Sequence, residues 1–524
     1  MKTMAEELFK EFREHSVSEF FRKNAAMLGY TGKIRSLTTI IHEGVTNAID
    51  AAEETGVLPK IVVIIKRFDE EPEHFRVIVE DNASGIPEEF IPNVFGKMLA
   101  GTKLHRYMQS RGQQGIGVSG SVMFGQITSG KPATVITSTG NGEIIRADVM
   151  IDVDRNEGKI TNIEKHKGKW RGTRVEVEVK DVTYMRSRYG PFNYLRMTAI
   201  ANPHVHITFV EPDGTLTILE PATDKVPERP KSMPLHPWGI MSDDLLILAK
   251  HTKSRNVVSF LSAELSRVSK RKAEEVCKLA SVPPKKKPSE LTWEEAERIV
   301  SAFKQIKLYA PPTSGLRPIG AADIESGMRQ ILNPEFVYAI NRPPKVYRGG
   351  LPFIVEAGIA YGGSAGKTTD RKNENEEGEA GMELIRFANR APLIFDQGGC
   401  AITTAMRNID WRRYGVDPAA AQLTLFVNVA SAYVPYTSAG KQSIADEPEV
   451  LDEIRTAIME VARELRKFLY RKIKIKERQE RAGVFEQHLP IIAKKAASLA
   501  NVKEPDIKPL LKKVSGVDNA EEES

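Results

Sequence analysis

The sequence predicts a multidomain α/β protein: an α/β sandwich on a mixed sheet, a small all-α domain, and a second α/β domain ending in a long helix. Three observations predict it. Helical and strand-like patterns alternate over roughly the first 230 residues. A run of helical segments with polar caps follows. Strand patterns then return beyond residue 310 and give way to a charged helix. A chain of 524 residues is also too long for a single core.

Residues 4–28 carry helix-compatible apolar positions, and residues 35–54 form a second helix. Strand-like runs come next: IVVIIKR (61–67), FRVIVED (75–81), ATVITS (133–138), EIIRADVMID (143–152) and TRVEVEV (173–179). A helix near 183–201 and a strand near 204–210 complete the first layer domain. Short connections such as TGNG (139–142) suit hairpins, so the sheet is expected to be mixed. The Pro- and Lys-rich passage 221–237 reads as a linker. Residues 241–306 are helical in four segments. Strands return at 355–361, 383–391 and 424–431, with a polar surface loop between the first two. A long charged helix spans 447–481, and a helical tail ends in AEEES. The expected domains are therefore 1–228, 229–308, 309–482 and a tail over 483–524.

With 41% hydrophobic and 27% charged residues, the composition is that of a soluble globular protein. No apolar run approaches the roughly 18 residues a spanning helix needs. The opening MKTMAEELFKEFREH is charged throughout and has no apolar signal-peptide core, so a cytoplasmic protein without membrane contact is expected. Cys277 and Cys400 lie far apart with no metal-binding spacing, and are expected to be reduced and buried. A net charge of +6 is too small to imply nucleic acid by itself.

Four elements carry chemistry. The helix IIHEGVTNAIDAAEE places Glu43, Asn47 and Asp50 in one narrow stripe. In isolation a solvated face explains that stripe equally well. EDNASGIPEE (80–89) leaves a strand at an acidic residue with a glycine soon after, which alone is an ordinary turn. RGQQGIGVSG (111–120) can turn backbone N–H groups toward an anion at a helix N-terminus. In KWRGTRVEVEV, Thr173 begins a strand.

Together and in this order, the four resemble the N box and the three glycine boxes of the GHKL (Bergerat-fold) ATPases. The resemblance implies ATP and Mg2+ as ligands. It makes Asn47 the Mg2+ ligand and Glu43 the base that activates water. It has Asp81 accept from the adenine amine, Gly85 give the base room, and Thr173 support Asp81 through water. The phosphate-loop stretch is then Arg111, Gly112, Gln113, Gln114, Gly115, Ile116, Gly117 and Val118. A carboxylate accepts from adenine's exocyclic amine but not from guanine's carbonyl, which favours ATP over GTP. A histidine kinase needs no base at Glu43, so hydrolysis is favoured over transfer.

The stretches SVSEFFRKNAAMLGY (16–30), FGKMLAGTKLHRYMQSRGQQGIGVSGSVMFGQ (95–126), SGLRPIGA (314–321) and VPYTSAGKQSIAD (434–446) resemble the B subunits of archaeal type IIB DNA topoisomerases over most of the chain. That resemblance implies a GHKL ATPase sandwich, a helix-two-turns-helix domain and a transducer with a ribosomal-protein-like α/β fold. It adds Thr102 and Lys103 in a lid, and makes Lys441 a catalytic switch lysine that reaches the γ-phosphate from the transducer. It implies ATP-driven self-dimerisation with about residues 1–20 exchanged, although the segment equally fits a helix packed on its own domain. It also implies a heterotetramer of two A and two B subunits, in which the A subunits cleave double-stranded DNA. A GHKL chaperone or protein clamp remains the rival reading.

Two motifs are set aside. AYGGSAGKTT (360–369) has its first glycine one place late for a phosphate loop, and Asp152 with Asp154 reads as a turn. None of Tyr433, Tyr436 or Tyr470 stands out as a nucleophile toward DNA. Basic clusters at Lys250, Lys253 and Arg255, at 270–272, at 285–287 and over 466–481 suit solvated surface or sequence-tolerant phosphate contacts. The C-terminal part of the long helix is the expected docking element for the A subunit.

Overall fold

The computed structural model describes residue 25 and residues 29–69, 71–98, 107–112, 115, 117–152, 155–367, 381–438, 440–503 and 505–510. The exchanged segment expected near the N-terminus, Thr102, Lys103, Gln113, Gln114, Ile116 and Asp154 lie outside the described residues. The chain forms two compact units, Met1–Ile409 with Pro418–Val461, and Asp410–Asp417 with Ala462–Ser524. Among the described residues, no helix is long and apolar enough to cross a membrane.

The first sheet has eight strands: β1 (Lys60–Phe68), β2 (Glu71–Glu80), β3 (Ala133–Ser138), β4 (Glu143–Asp152), β5 (Glu157–Lys167), β6 (Gly172–Val179), β7 (His206–Val210) and β8 (Leu216–Leu219). Their order is β5-β4-β3-β6-β2-β1-β7-β8. Only β1 and β7 pair parallel, so the sheet is mixed as expected. Helices α1 (Lys33–Glu54), α2 (Ile91–Gly96), α3 (Gly117–Ser129) and α4 (Pro191–Ala201) accompany it. The buried apolar residues of α1 join those of β1 and β2 in one core. β5 and β8 have no counterpart in the expected strands. Most of β5 is exposed, so it shows no apolar alternation, and β8 is only four residues long. α4 starts later than expected because Pro191 opens it, its missing N–H costing nothing there.

Passage 221–237 is irregular, yet it is anchored: Met233 is buried against Leu316, Ile354 and Ala430. Helices α5 (Ser242–His251), α6 (Val257–Glu264), α7 (Lys270–Leu279) and α8 (Trp293–Gln305) then share a separate apolar core. α8 starts on a full capping box, with Thr292 and Glu295 accepting from each other's backbone.

α9 (Ala321–Leu332) leads into a second sheet of six strands: β9 (Phe336–Asn341), β10 (Lys345–Tyr347), β11 (Leu351–Tyr361), β12 (Met382–Ala388), β13 (Ala391–Pro392) and β14 (Leu423–Ser431). α10 (Ala401–Arg407) and α11 (Pro448–Ala500) complete the described elements. α9, β9, β10 and α10 were not expected; β9, β10 and α10 are only six, three and seven residues long, too short to show a period, and α9 carries Gly327 in its interior. α11 runs past the expected boundary at 482 to Ala500, through Gly483 and Pro490. Neither residue stops an exposed helix rich in strong helix formers. At its other end Arg342 holds Glu453 and Glu460 of α11, each at 2.7 Å.

The segment SGLRPIG is held by a carboxylate in the core. Glu356, at the middle of β11, accepts from the N–H groups of Ile319 (3.0 Å) and Gly320 (2.7 Å), and from Asn428 Nδ2 (2.7 Å). Burial pushes its carboxyl up, while these three donors favour the ionised form. Glu356→Ala strands three buried donors and is expected to cost about 3 kcal/mol. A lowered thermal unfolding transition against the unsubstituted protein checks this.

Candidate active site

α1 buries Leu37, Ile40, Ile41, Val45, Ala48, Ile49 and Ala52. It lies very close to the sheet at Gly44, where a Cβ would fall 2.9 Å from Val79 Cγ2. That contact sets the rotation of the helix and directs its polar stripe to one edge. The stripe then divides. Glu43 is half-buried, Asn47 is exposed and Asp50 is buried.

Glu43 and Asn47 border the Gly-rich segment. A Cβ on Gly117 would lie 1.9 Å from Glu43 Oε2, so any larger residue there displaces this carboxylate, and one on Gly112 would lie 4.0 Å from Asn47 Oδ1. Gly117 opens α3, whose 13 residues direct their positive dipole end to this edge. Gly115 has φ +63°, and Val118 is half-buried in the first turn of α3.

Asp81 sits where β2 ends. Its Oδ1 accepts from the N–H groups of Ala83 (2.8 Å) and Thr173 (3.2 Å), while its own N–H donates to Thr173 O (2.9 Å). Burial pushes the Asp81 carboxyl up to about 6, against these two donors. Thr173 thus holds Asp81 through its backbone, and its hydroxyl lies 3.3 Å from that of Thr137. Thr137 is a residue the sequence did not single out: its hydroxyl accepts from Ile86 N–H (2.8 Å) and donates to Gly172 O (3.1 Å). Gly85, at φ +73°, is required by backbone, since a Cβ would meet Ser138 O at 2.1 Å.

Arg111 corrects one expectation. Rather than facing an anion, its guanidinium donates to Asp50 Oδ1 (2.6 Å), to both oxygens of Glu53 (2.7 and 2.9 Å) and to Asn202 Oδ1 (2.5 Å). His204 Nε2 lies 2.9 Å from Glu53. Burial alone would raise the Glu53 carboxyl, but Arg111, His204 and Arg390 hold it well below the usual carboxylate range. Asp50 therefore closes an ion cluster and is not open to a ligand. Glu53 follows Asp50 at helical spacing, a local hint of a shared partner; nothing local in the sequence points to Arg111 as that partner.

Lys441 is brought to the same helix. It adopts φ +51°, and its charge acts on half-buried His42, next to Glu43. Burial lowers the His42 pKa, Lys441 pushes the same way and Glu43 opposes, leaving a neutral imidazole stacked 5.3 Å from the Tyr194 ring.

The set-aside motifs stay apart from this site. Asp152 accepts from Arg155 N–H (3.3 Å) and Lys159 Nζ (2.7 Å). A Cβ on Gly363 would strike Asn333 O at 2.0 Å, and Gly366 N–H donates to Thr424 Oγ1 (3.0 Å), so this loop is occupied by its own backbone packing. Cys277 and Cys400 are buried free thiols.

Residues 32–183 match the family of histidine kinase-, DNA gyrase B- and HSP90-like ATPases, and residues 311–481 match the topoisomerase VI B subunit transducer. The chain is 49% identical to the type 2 DNA topoisomerase 6 B subunit of Thermococcus sibiricus, over 99% of this chain and 98% of that protein. It is 51% identical to its counterpart in Thermococcus kodakarensis, over 96% and 94%. For Methanothermobacter thermautotrophicus the figure is 48%, over 98% of each. The transducer match removes the chaperone alternative. An ATPase domain, a transducer and near-full-length identity to these proteins agree: the chain belongs to the family of type 2 DNA topoisomerase 6 B subunits.

Proposed function

We propose that ATP lies between the Glu43–Asn47 edge of α1 and the Gly-rich segment, and that its hydrolysis gates passage of one DNA duplex through a break made in another by a separate A subunit. The observation that carries this reading is the Glu43–Gly117 contact. It sets a carboxylate at a helix N-terminus built to receive phosphate.

Asp81 accepts from the adenine amine and Gly85 and Thr173 shape its surroundings. The backbone from Gly112 through Gln113, Gln114, Gly115, Ile116, Gly117 and Val118 surrounds the phosphates, with Thr102 and Lys103 in the lid. Arg111 acts by holding the start of this stretch. Asn47 fits Mg2+: its oxygen is a hard donor on an exposed side chain, which leaves the remaining positions to phosphate and water. Bound with the nucleotide, Mg2+ neutralises phosphate charge. Glu43 orients the attacking water and takes its proton, and Lys441 supplies a point charge to the γ-phosphate.

Residues 1–228, 229–308, 309–482 and 483–524 form the ATPase domain, the helix-two-turns-helix domain, the transducer and the tail. Two copies dimerise on ATP and join two A subunits. Exposed Lys285, Lys287 and the basic stretch 466–481 suit contacts to DNA phosphates. Exposed Ile473, Val484, Phe485, Ile491 and Ile492 give the distal helix an apolar surface for the A subunit. The protein acts in the cytoplasm.

Glu43→Gln keeps the side-chain volume and is expected to lower kcat for ATP hydrolysis by about 10²–10⁴ with little change in ATP affinity. Unchanged turnover would remove Glu43 from the base role. Lys441→Ala is expected to lower both ATPase rate and supercoil relaxation, and a variant normal in both contradicts its role at the γ-phosphate. The Asp81 carboxyl must be ionised to accept from adenine. With its pKa near 6, the ionised fraction falls about tenfold between pH 7 and pH 5. ATP affinity is expected to fall by about the same factor. The ratio of dissociation constants between Asp81→Asn and the unsubstituted protein, measured by calorimetry at both pH values, separates this from titration of ATP itself. A ratio that does not change with pH contradicts the assignment.

A further inference from the structure

The second sheet reaches the nucleotide site at a place besides Lys441. β12 and β13 are joined by Asn389 and Arg390, with φ +50° and +68°, the geometry of a two-residue primed hairpin turn. The tip of this hairpin meets the segment 109–111, which runs directly into the Gly-rich loop. Asn389 Nδ2 donates to Ser110 O (3.1 Å) and to Ser431 O (2.9 Å). Arg390 O accepts from Asn202 Nδ2 (3.2 Å), and Asn202 Oδ1 in turn accepts from Arg111. The Arg390 guanidinium donates to Pro318 O (2.9 Å) and stands 4.0 Å from Glu53. Gln109 exchanges both amide hydrogen bonds with the Arg317 backbone, at 2.8 and 2.9 Å.

Three consecutive residues are thus held from across the interface: Gln109 by Arg317, Ser110 by Asn389, and Arg111 through Glu53 and Asn202, which it shares with Arg390. The charges agree with this docking. Asp50 and Glu53 carry two negative charges, Arg111 and Arg390 two positive. Burial lowers the His204 pKa, which keeps that ring neutral beside Glu53. Glu54, Glu228, Arg229 and Arg317 line the small cavity alongside. If the hairpin tip withdraws, two buried carboxylates face one guanidinium, which low-dielectric surroundings penalise.

We propose that the Asn389–Arg390 hairpin tip is a positioning device for the nucleotide site, fixing residues 109–111 and, through them, the Gly-rich loop. Transducer movement then changes ATP affinity at the root of the loop. Lys441 acts independently at the phosphate end. The inference rests on the nucleotide-site reading above.

The test uses Arg390→Met, Arg390→Lys and Asn389→Gly in the complex reconstituted with its cleaving partner, the A subunit. Glycine keeps the positive φ and removes only the amide. Measured are KM and kcat for ATP, strand passages per ATP hydrolysed, and the folded fraction from a thermal melt. Arg390→Met and Asn389→Gly are expected to raise KM about tenfold and lower passages per ATP by a similar factor, with kcat within about threefold. Arg390→Lys is expected to recover part of both. Unchanged KM and passage ratio in the folded Asn389→Gly protein overturn the proposal. So does a loss that only follows the folded fraction, with Arg390→Lys no better than Arg390→Met. Glu43→Gln and the Asp81→Asn binding measurement run in parallel separate the two readings: loss of turnover in Glu43→Gln with normal hairpin variants overturns the coupling alone, whereas retained turnover in Glu43→Gln together with unchanged ATP affinity in Asp81→Asn overturns the nucleotide-site reading itself.

Discussion

The close seat of α1 on β2 is the constraint on which the rest depends. Gly44 lets the helix approach until Val79 fills the space a side chain would need. Seven apolar residues of the helix are buried by that approach, and the five larger ones, Leu37, Ile40, Ile41, Val45 and Ile49, each contribute about 1.5–3 kcal/mol relative to exposure. An amphipathic helix held this closely cannot rotate by even a fraction of a turn without exposing part of that surface. The position of Glu43 is therefore fixed by the apolar side of the same helix, not by contacts at the site. A carboxylate fixed in this way is preorganised for whatever it meets at this edge.

Burial sets the chemistry of the neighbouring groups in different directions. Asp81 is pushed up to about 6 yet remains an acceptor at neutral pH, because its backbone donors stabilise the charged form. His42 is kept neutral by desolvation, with Lys441 pushing the same way against Glu43. A neutral His42 leaves Glu43 without a competing cation on the adjacent residue. Arg111 shows the opposite outcome, where burial is offset by two carboxylates and the pair becomes structural.

The ATPase core was legible in the sequence wherever a local period recorded the packing. The strands 133–138 and 143–152 were located to the residue because each alternates on a half-buried face. β5 was not, since an exposed edge strand has no reason to alternate, and its only partner is β4. The same distinction separates the site residues. Glu43 and Asn47 lie on one helix and Asp81 ends a strand, so spacing and order could single them out as candidates. Arg111 joins α1 to the end of α4, and Thr137 joins β3 to the Asp81 loop. Partners that meet only in three dimensions leave no periodic mark. That is why the arginine looked like a phosphate ligand and Thr137 went unnoticed.

The transducer grips α1 at three points, which changes what a movement between them can do. Arg35 makes a bidentate pair with Asp396 at 3.0 and 3.1 Å. Lys441 acts beside His42 and Glu43, and the Arg390 tip meets Glu53. From Arg35 to Glu53 the helix rises about 27 Å at 1.5 Å per residue, with the Glu43 position a little before the middle. One contact would fix only a distance, whereas contacts at both ends and near the centre fix the direction of the helix axis. A change confined to the middle of the helix leaves the two outer contacts in place as pivots for the sheet they belong to. A small displacement near Glu43 can in this way become a rotation of that sheet, because the packed elements between the contacts do not deform continuously.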